Sequence, residues 1–144
     1  MQPSLRYMAL DVGNIRVGVA LSDTSGAITA PYPILRRHPE LALKQAILRL
    51  AKEEHVVKII VGLPLHEDGS SSEQSEITER FSERLADFVK PLPIELWNEF
   101  GSTQDAKYTL QEMGEPRKNW AKLLDSVAAS IILQNYLRMH DHTQ

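Results

Sequence analysis

The sequence lacks cysteine altogether, which excludes disulfide bonds and metal sites built from thiolates. It also lacks any apolar run near the roughly 20 residues that a membrane-spanning helix requires. Residues Met1 to Ser4 do not show the basic and then apolar pattern of a signal peptide. No internal repeat or low-complexity tract is present. These absences lead us to expect a cytoplasmic protein with no membrane partner.

An excess of basic charge is missing too. The formal net charge is −3 and the sequence pI is about 5.9, which counts mildly against a nucleic-acid-binding protein. Net charge conceals local patches, however. Two basic spots stand out, one at Arg36–His38 and one formed by Arg117, Lys118 and Lys122. Each spot is either a solvated edge or a phosphate-binding site.

The remaining composition is that of an ordinary soluble globular protein, with 42% hydrophobic and 24% charged residues. A chain of 144 residues is long enough to bury a substantial core within one domain. We therefore expect a single domain over residues 1–139 and a mobile C-terminal tail over residues 140–144.

Three β segments without intervening helices open the chain, which predicts an antiparallel meander. They cover Leu5–Gly13, Arg16–Ser22 and roughly Ala27–Leu35. The third segment carries Pro31 and Pro33, and proline cannot donate to a strand ladder. We therefore expect this segment to be an edge strand.

Helices and strands alternate in the rest of the chain. The predicted elements are a helix from Pro39, a strand at Val56–Val61, a helix capped by Ser71 with Gln74, a strand at Ile94–Trp97, a helix capped by Ser102 and Asp105 that ends at Met113, and a final helix from Trp120 to Met139. This order predicts an α/β fold with a mixed five-stranded sheet and helices on both faces. The first, fourth and fifth strands would be parallel.

Asp11 ends the first apolar strand, shortly before Gly13. An ionised aspartate among apolar residues is costly unless a cation or hydrogen bonds compensate it. Open α/β sheets bind their ligands at the carboxyl ends of strands, so Asp11 is a candidate ligand-binding residue. The alternative is an aspartate that only caps the turn before Gly13.

Two further acidic residues fall near the same predicted edge. Glu99 lies just past the fifth strand, although it could equally be a solvated loop residue before a helix cap. Asp125 shares one face of the final helix with Ala128, Ala129 and Ile132, so that face can approach the sheet closely. The alternative for Asp125 is an ion pair or a cap in a frayed first turn.

Three converging carboxylates would repel one another unless cations were present, and Mg²⁺ or Mn²⁺ prefer such oxygen ligands. Two ions held about 3.5–4 Å apart would activate a water and stabilise the leaving oxygen of a phosphodiester. No histidine pair has zinc spacing and no Walker-type phosphate loop is present. The acidic positions therefore indicate a hydrolytic nuclease.

Several motifs, in order along the chain, resemble the YqgF/RuvX family. They are Asp11-Val12-Gly13 followed by Arg16–Asp23, then Val61–Leu65 with Asp68–Ser70, and finally Asp125–Leu137. The match runs from about Tyr7 to Leu137, which is nearly the whole chain. A match of several motifs in order is far more specific than any one of them.

This resemblance implies a ribonuclease H-like fold related to Holliday junction resolvases. It also implies a nuclease dependent on Mg²⁺ or Mn²⁺ that matures the 5′ end of precursor 16S ribosomal RNA, with resolution of junction DNA as the alternative. The family's catalytic, metal-binding acids fall on Asp11, Glu99 and Asp125. The implied partner is nucleic acid, either structured RNA or junction DNA, bound by a monomer or a homodimer.

The family pattern is altered around Glu99. Asn98 stands where the family usually has an acid, and Phe100 stands where it usually has a basic residue, while Glu99 and Thr103 match. Loss of an arginine removes a phosphate contact, so the change bears on substrate binding more than on metal binding. We take Arg16, Thr103 and Lys122 as candidate substrate-binding residues.

Two other functions compete with the nuclease. An actin-like phosphotransferase also uses an Asp-x-Gly hairpin, but it needs two such domains with ATP between them. A non-catalytic nucleic-acid-binding module for ribosome assembly would keep the fold, and the acidic pI and the altered Asn98–Phe100 stretch favour it. Such a module would bind RNA regardless of Asp11, Glu99 and Asp125.

Overall fold

The computed structural model describes residues 6–23, 29–66, 68–98 and 108–141. Its five strands are β1 (Arg6–Val12), β2 (Arg16–Ser22), β3 (Thr29–Arg36), β4 (Val56–Leu63) and β5 (Ile94–Asn98). Its long helices are α1 (Glu40–Glu53), α2 (Glu73–Val89) and α3 (Trp120–Asp141), the last preceded by a 3-10 turn at Arg117–Asn119. Residues 108–112 are also helical. No helix within these ranges combines the length and the apolar character needed to cross a bilayer.

The strands form one mixed sheet in the order β3-β2-β1-β4-β5. Strand β2 is antiparallel to β1 and β3, whereas β4 is parallel to β1 and β5. The predicted meander and the parallel set of first, fourth and fifth strands are both confirmed. The proline-containing β3 lies at an edge of the sheet, as expected for a strand that cannot donate all of its ladder hydrogen bonds.

Alternate residues of the central strand enter different cores. Met8, Leu10 and Val12 pack with α1 and α2 on one side of the sheet. Ala9 packs on the other side with residues of α3, and Tyr7 lies against the same cluster. Because side chains alternate along a strand, Asp11 belongs to this second side, which we call the α3 face. Helices therefore cover both faces, as predicted.

Helix α3 is attached to the amino-terminal ends of the parallel strands through Tyr136. The Tyr136 ring packs edge-on against Tyr7, with centroids 6.2 Å apart, and against Trp97, at 5.2 Å. Its hydroxyl accepts a hydrogen bond from Lys58 Nζ (2.9 Å) and donates one to Glu95 Oε1 (3.0 Å). The pKa of Lys58 is raised, because Glu95 and Tyr136 both accept hydrogen bonds from the ammonium group. This network holds the carboxyl-terminal part of α3 at the edge of the sheet where β1, β4 and β5 begin.

Some predicted boundaries differ from the structure. The cap of α2 is Ser72, whose hydroxyl accepts from the Ser75 amide, rather than the predicted pair Ser71 and Gln74. Strand β4 continues to Leu63, two residues past its predicted end, because pairing with β5 persists that far. The predicted caps Ser102 and Asp105 lie outside the described residues.

Glu40, at the start of α1, connects three elements by ion pairs. It accepts two hydrogen bonds from Arg84 of α2, at 2.7 and 2.9 Å, and one from Arg37 at 3.2 Å. The hydrogen bonds from Arg84, and to a smaller extent the one from Arg37, lower the pKa of Glu40 to about 2. Because Arg37 is only 5% exposed, removing its partner would leave a buried charge unpaired.

We expect Glu40→Gln to lower the free energy of unfolding by about 1–2 kcal/mol at pH 7, since a bidentate pair is lost. A lowered pKa contributes stability that is complete above the usual value of 4.5 and is lost as the pH falls towards about 2. The difference between wild type and variant should therefore shrink through that pH window. Urea unfolding at several pH values measures it, and a difference that stays constant down to pH 2.5 would contradict the role of Glu40.

Candidate active site

Asp11 lies at the carboxyl-terminal edge of the sheet, next to two glycines. It pairs with Gly18 of β2, and the pairing of Leu10 with Val61 places Gly62 of β4 beside it on the other side. Neither neighbour has a side chain, so no side chain of the adjoining strands flanks the half-buried Asp11 on the α3 face. A carboxylate at the carboxyl-terminal end of a central strand is suited to binding a ligand.

Two hydrogen bonds attach the start of α2 to this edge. Gln74 Nε2 donates to the carbonyl oxygen of Val12 at 3.1 Å. Ser72 Oγ donates to the carbonyl oxygen of Pro64 at 2.6 Å, in the loop that follows β4. These bonds hold the ends of β1 and β4 against the same helix terminus. Sequence periodicity did not reveal either contact, because one joins residues 62 apart in the chain and the other joins a helix cap to the preceding loop.

The turn between β1 and β2 is tight and holds Arg16 near Asp11. The Gly13 amide donates to the carbonyl oxygen of Arg16 at 2.9 Å. A Cβ atom on Gly13 would lie 2.8 Å from that same oxygen, so the turn requires glycine here. The exposed Arg16 lies two residues before Gly18, the partner of Asp11, and thus on the same face of the sheet.

The backbone of Asp125 belongs to α3, which packs across β1, β2 and β3. Asp125 precedes Tyr136 by eleven residues, or about 16 Å of helix, and Tyr136 contacts Tyr7. Tyr7 precedes Asp11 by four residues, or about 13 Å of strand. The two lengths are similar, so the start of α3 reaches the edge of the sheet where Asp11 lies. The side chains of Asp125 and Lys122 lie outside the described part of the structure.

Glu99 follows the last residue of β5, and both Glu99 and Thr103 lie outside the described residues. The carboxyl-terminal end of β5 is on the same edge of the sheet as that of β1, separated from it by β4 alone. Two strand spacings correspond to about 10 Å. Of the predicted site residues, the structure describes the side chains of Asp11 and Arg16 and places both on the same face at this edge of the sheet.

Among the described side chains, no group of three or more histidine, aspartate or glutamate residues is arranged to hold a metal ion. The predicted metal site of Asp11, Glu99 and Asp125 stays a prediction, because the side chains of Glu99 and Asp125 lie outside the described part of the structure. The chemistry at Asp11 fits a cation: its carboxylate is a hard oxygen donor, and its neighbours on the adjoining strands, Gly18 and Gly62, carry no cationic side chain.

Asp68, part of the predicted motif in the loop after β4, has a local structural role. Its carboxylate accepts hydrogen bonds from the Ser70 amide at 2.9 Å and the Ser70 hydroxyl at 2.6 Å. These bonds lower the pKa of Asp68. Gly69 lies between them with φ +86°, a conformation that favours glycine. The motif therefore specifies a turn, and the exposed His66 stands beside it.

Comparison with known proteins identifies the family. The model of the family described as RuvX, Holliday junction resolvase, matches residues 5–139. This chain belongs to the RuvX family. A relative from Chloroflexus aurantiacus named "Putative pre-16S rRNA nuclease" is 42% identical over 132 residues, which cover 90% of this chain and 84% of the relative. A relative of the same name from Symbiobacterium thermophilum is 38% identical and is covered to 92%, as is this chain.

Solved resolvase structures share the fold of this RuvX chain. RuvC of T. thermophilus in complex with a Holliday junction substrate has a TM-score of 0.56 and 12% identity, over 94% of this chain and 96% of that one. The Fowlpox virus resolvase bound to junction DNA has a TM-score of 0.54 and 14% identity, over 97% and 100% of the two chains. The predicted family and the ribonuclease H-like α/β fold are therefore confirmed.

We expect Gly13→Ala to destabilise the protein by about 1–3 kcal/mol, because the new methyl group meets a backbone oxygen that cannot rotate away. The turn that carries Arg16 should shift, so cleavage should fall even where the variant remains folded. Urea unfolding and cleavage assays measure the two effects. An unfolding midpoint identical to that of the wild type would show that the turn tolerates a side chain at position 13.

Proposed function

We propose that this RuvX protein is a nuclease that hydrolyses phosphodiester bonds of nucleic acid and requires a divalent cation, Mg²⁺ or Mn²⁺. The observation that carries the proposal is the position of Asp11, at the carboxyl-terminal edge of the central strand, between two glycines, on the face that α3 covers. Membership of the RuvX family supports the same chemistry.

Asp11, Glu99 and Asp125 would hold the cation in this proposal. Their positions at the ends of β1 and β5 and near the start of α3 support it, since all three elements reach one edge of the sheet. When bound, the cation lowers the pKa of a coordinated water and neutralises charge on the phosphate. The three carboxylates would provide hard oxygen ligands for the cation. The positive charge of the cation would in turn keep them ionised, although they lie close to one another and to the phosphodiester.

The basic residues would position the substrate. Arg16 is exposed, lies on the same face as Asp11 and is held by the tight turn at Gly13, so it is suited to contacting a phosphate near the scissile bond. Lys122 and Thr103 are proposed as further substrate contacts because they lie close in sequence to Asp125 and Glu99. None of these residues needs to take part in proton transfer.

Precursor 16S ribosomal RNA is the substrate that we favour, acted on in its 5′-end maturation. The two relatives described above, at 42% and 38% identity, are both named for a nuclease of pre-16S rRNA, and this supports the proposal. Junction DNA is the second candidate, because the family description names a Holliday junction resolvase. Cutting a junction requires two symmetric incisions and hence a two-fold dimer, whereas RNA maturation has no such requirement.

We predict that Asp11→Asn lowers the rate of cleavage by at least about 100-fold, because a neutral amide is a poor cation ligand. The fold should stay intact. The assay would use end-labelled precursor 16S RNA and a four-way DNA junction side by side, each with Mg²⁺, Mn²⁺ or EDTA. The substrate that is cut in a metal-dependent manner identifies the activity.

Asp87→Asn is the matched control, since it makes the same chemical change at an exposed position of α2, where Asp87 forms an ion pair with Lys90 at 2.9 Å. It should cleave like the wild type. Unchanged cleavage by Asp11→Asn would contradict the proposed site. Metal-independent RNA binding by wild type and variant, without cleavage of either substrate, would favour the non-catalytic assembly module.

A further inference from the structure

A basic cleft lies beside the turn between β1 and β2, where β3 ends. It has a volume of about 550 Å³, and its polar lining consists of Asn14, Arg16, Arg36 and His38. Its remaining lining is apolar, and no acidic side chain of the described residues contributes to it. We call it the turn cleft. Its charge is opposite to that of the chain as a whole, which carries a formal net charge of −3.

Arg16 and Arg36 are direct partners across β2 and β3. Side chains in such positions are about 5 Å apart at Cβ, and like charges there are destabilising. Both arginines are exposed, so neither contributes a packed side chain to the core. Two arginines side by side on a concave surface concentrate positive charge there, and such a surface is suited to binding an anion.

Arg37, next to Arg36 in the chain, has a structural role and does not line the cleft. Arg37 is 5% exposed, pairs with Glu40 and lies over the ring of Phe81, 4.6 Å from its centroid. Arg36 points to the other side of the strand, towards the α3 face, because neighbouring side chains alternate. The basic spot predicted at positions 36–38 is therefore divided: Arg37 stabilises the fold, whereas Arg36 and His38 line the cleft.

The cleft is held together by backbone hydrogen bonds. The Arg37 amide donates to the carbonyl oxygen of Ile15 at 2.9 Å, which joins the end of β3 to the turn. The Gly13 amide closes the turn itself at 2.9 Å from the Arg16 oxygen. Both walls of the cleft are thus fixed relative to β1, and therefore relative to Asp11.

The strand register gives the distance from the cleft to Asp11. With strands about 4.8 Å apart and a rise of about 3.4 Å per residue, the Cα atoms of Arg16 and Arg36 lie about 8 and 12 Å from that of Asp11. A stacked strand advances about 3.4 Å per nucleotide, so the arginines stand about two to four nucleotides away. Asp11, Arg16 and Arg36 also share one face of the sheet.

We infer that the turn cleft binds the phosphate backbone of the nucleic acid a few nucleotides from the scissile bond, with Arg36 as a phosphate contact additional to Arg16. This inference rests on the proposed nuclease function. Ile15, which is 72% exposed at the tip of the turn, supplies an apolar contact for a neighbouring sugar or base. That contact favours a nucleic acid over a small anion as the occupant.

Binding rather than cleavage tests the inference. The probe is a fluorescently labelled RNA hairpin with a single-stranded 5′ extension, titrated with protein that carries Asp11→Asn so that the RNA stays intact. Adding Arg36→Gln should weaken binding by about 3- to 10-fold and reduce the slope of log K against log salt by about 0.7–0.9, as expected for one lost phosphate contact. Arg36→Lys should keep the slope.

Arg49→Gln is the matched control, because Arg49 is an exposed arginine of α1, on the opposite face of the sheet. It should change neither affinity nor slope. Ile15→Ser should weaken binding without changing the slope, because it removes an apolar contact and no charge. Equal affinities and slopes for Arg36→Gln and Arg49→Gln would overturn the inference, as would absence of RNA binding by the Asp11→Asn parent.

The two proposals can fail separately. If Arg36→Gln binds like the control while cleavage still requires Asp11 and a metal, only the turn cleft is wrong. If Arg36→Gln weakens binding while Asp11→Asn still cleaves, the cleft holds and the proposed active site is wrong.

Discussion

The central strand β1 is covered by helices on both faces, so its alternate residues must enter different cores. Met8 and Leu10 pack beneath α1 and α2, while Ala9 packs against α3. The same alternation places Asp11 on the α3 face at the strand's end. A shift of register by one residue would exchange these faces and bury Asp11 under the other pair of helices. The position of the proposed active site thus depends on the packing of the whole sheet.

Alternation also determines the roles of the arginines at the end of β3. Arg37 lies over the ring of Phe81 in α2, whereas Arg36 lines the turn cleft on the side of the sheet where Asp11 lies. The hydrogen bonds of Ser72 and Gln74 then hold the start of α2 against the ends of β4 and β1. The result is an edge of the sheet whose backbone is fixed, on which charged side chains can be held at defined distances from a substrate.

Much of the fold could be predicted from local signals, because strand alternation, turn glycines and prolines act within a few residues. Pro31 and Pro33 indicated the edge strand, and the segment order indicated that Asp11 ends a strand parallel to β4 and β5. The cap of α2 was misplaced by one residue, since Ser71 and Ser72 are both good caps and only Ser72 reaches Pro64. Contacts that join distant segments, such as the pairing of Arg16 with Arg36, leave no periodic signal in the sequence. Glu99 and Asp125 stay predictions because their side chains lie outside the described part of the chain.

Whether Asp11, Glu99 and Asp125 hold one cation can be measured in a crystal grown with Mn²⁺, from the anomalous scattering of manganese. We expect an anomalous peak at about 2.0–2.3 Å from an oxygen of Asp11, with carboxylate oxygens of Glu99 and Asp125 as further ligands. A peak elsewhere on the protein, with none at Asp11 at saturating Mn²⁺, would contradict it.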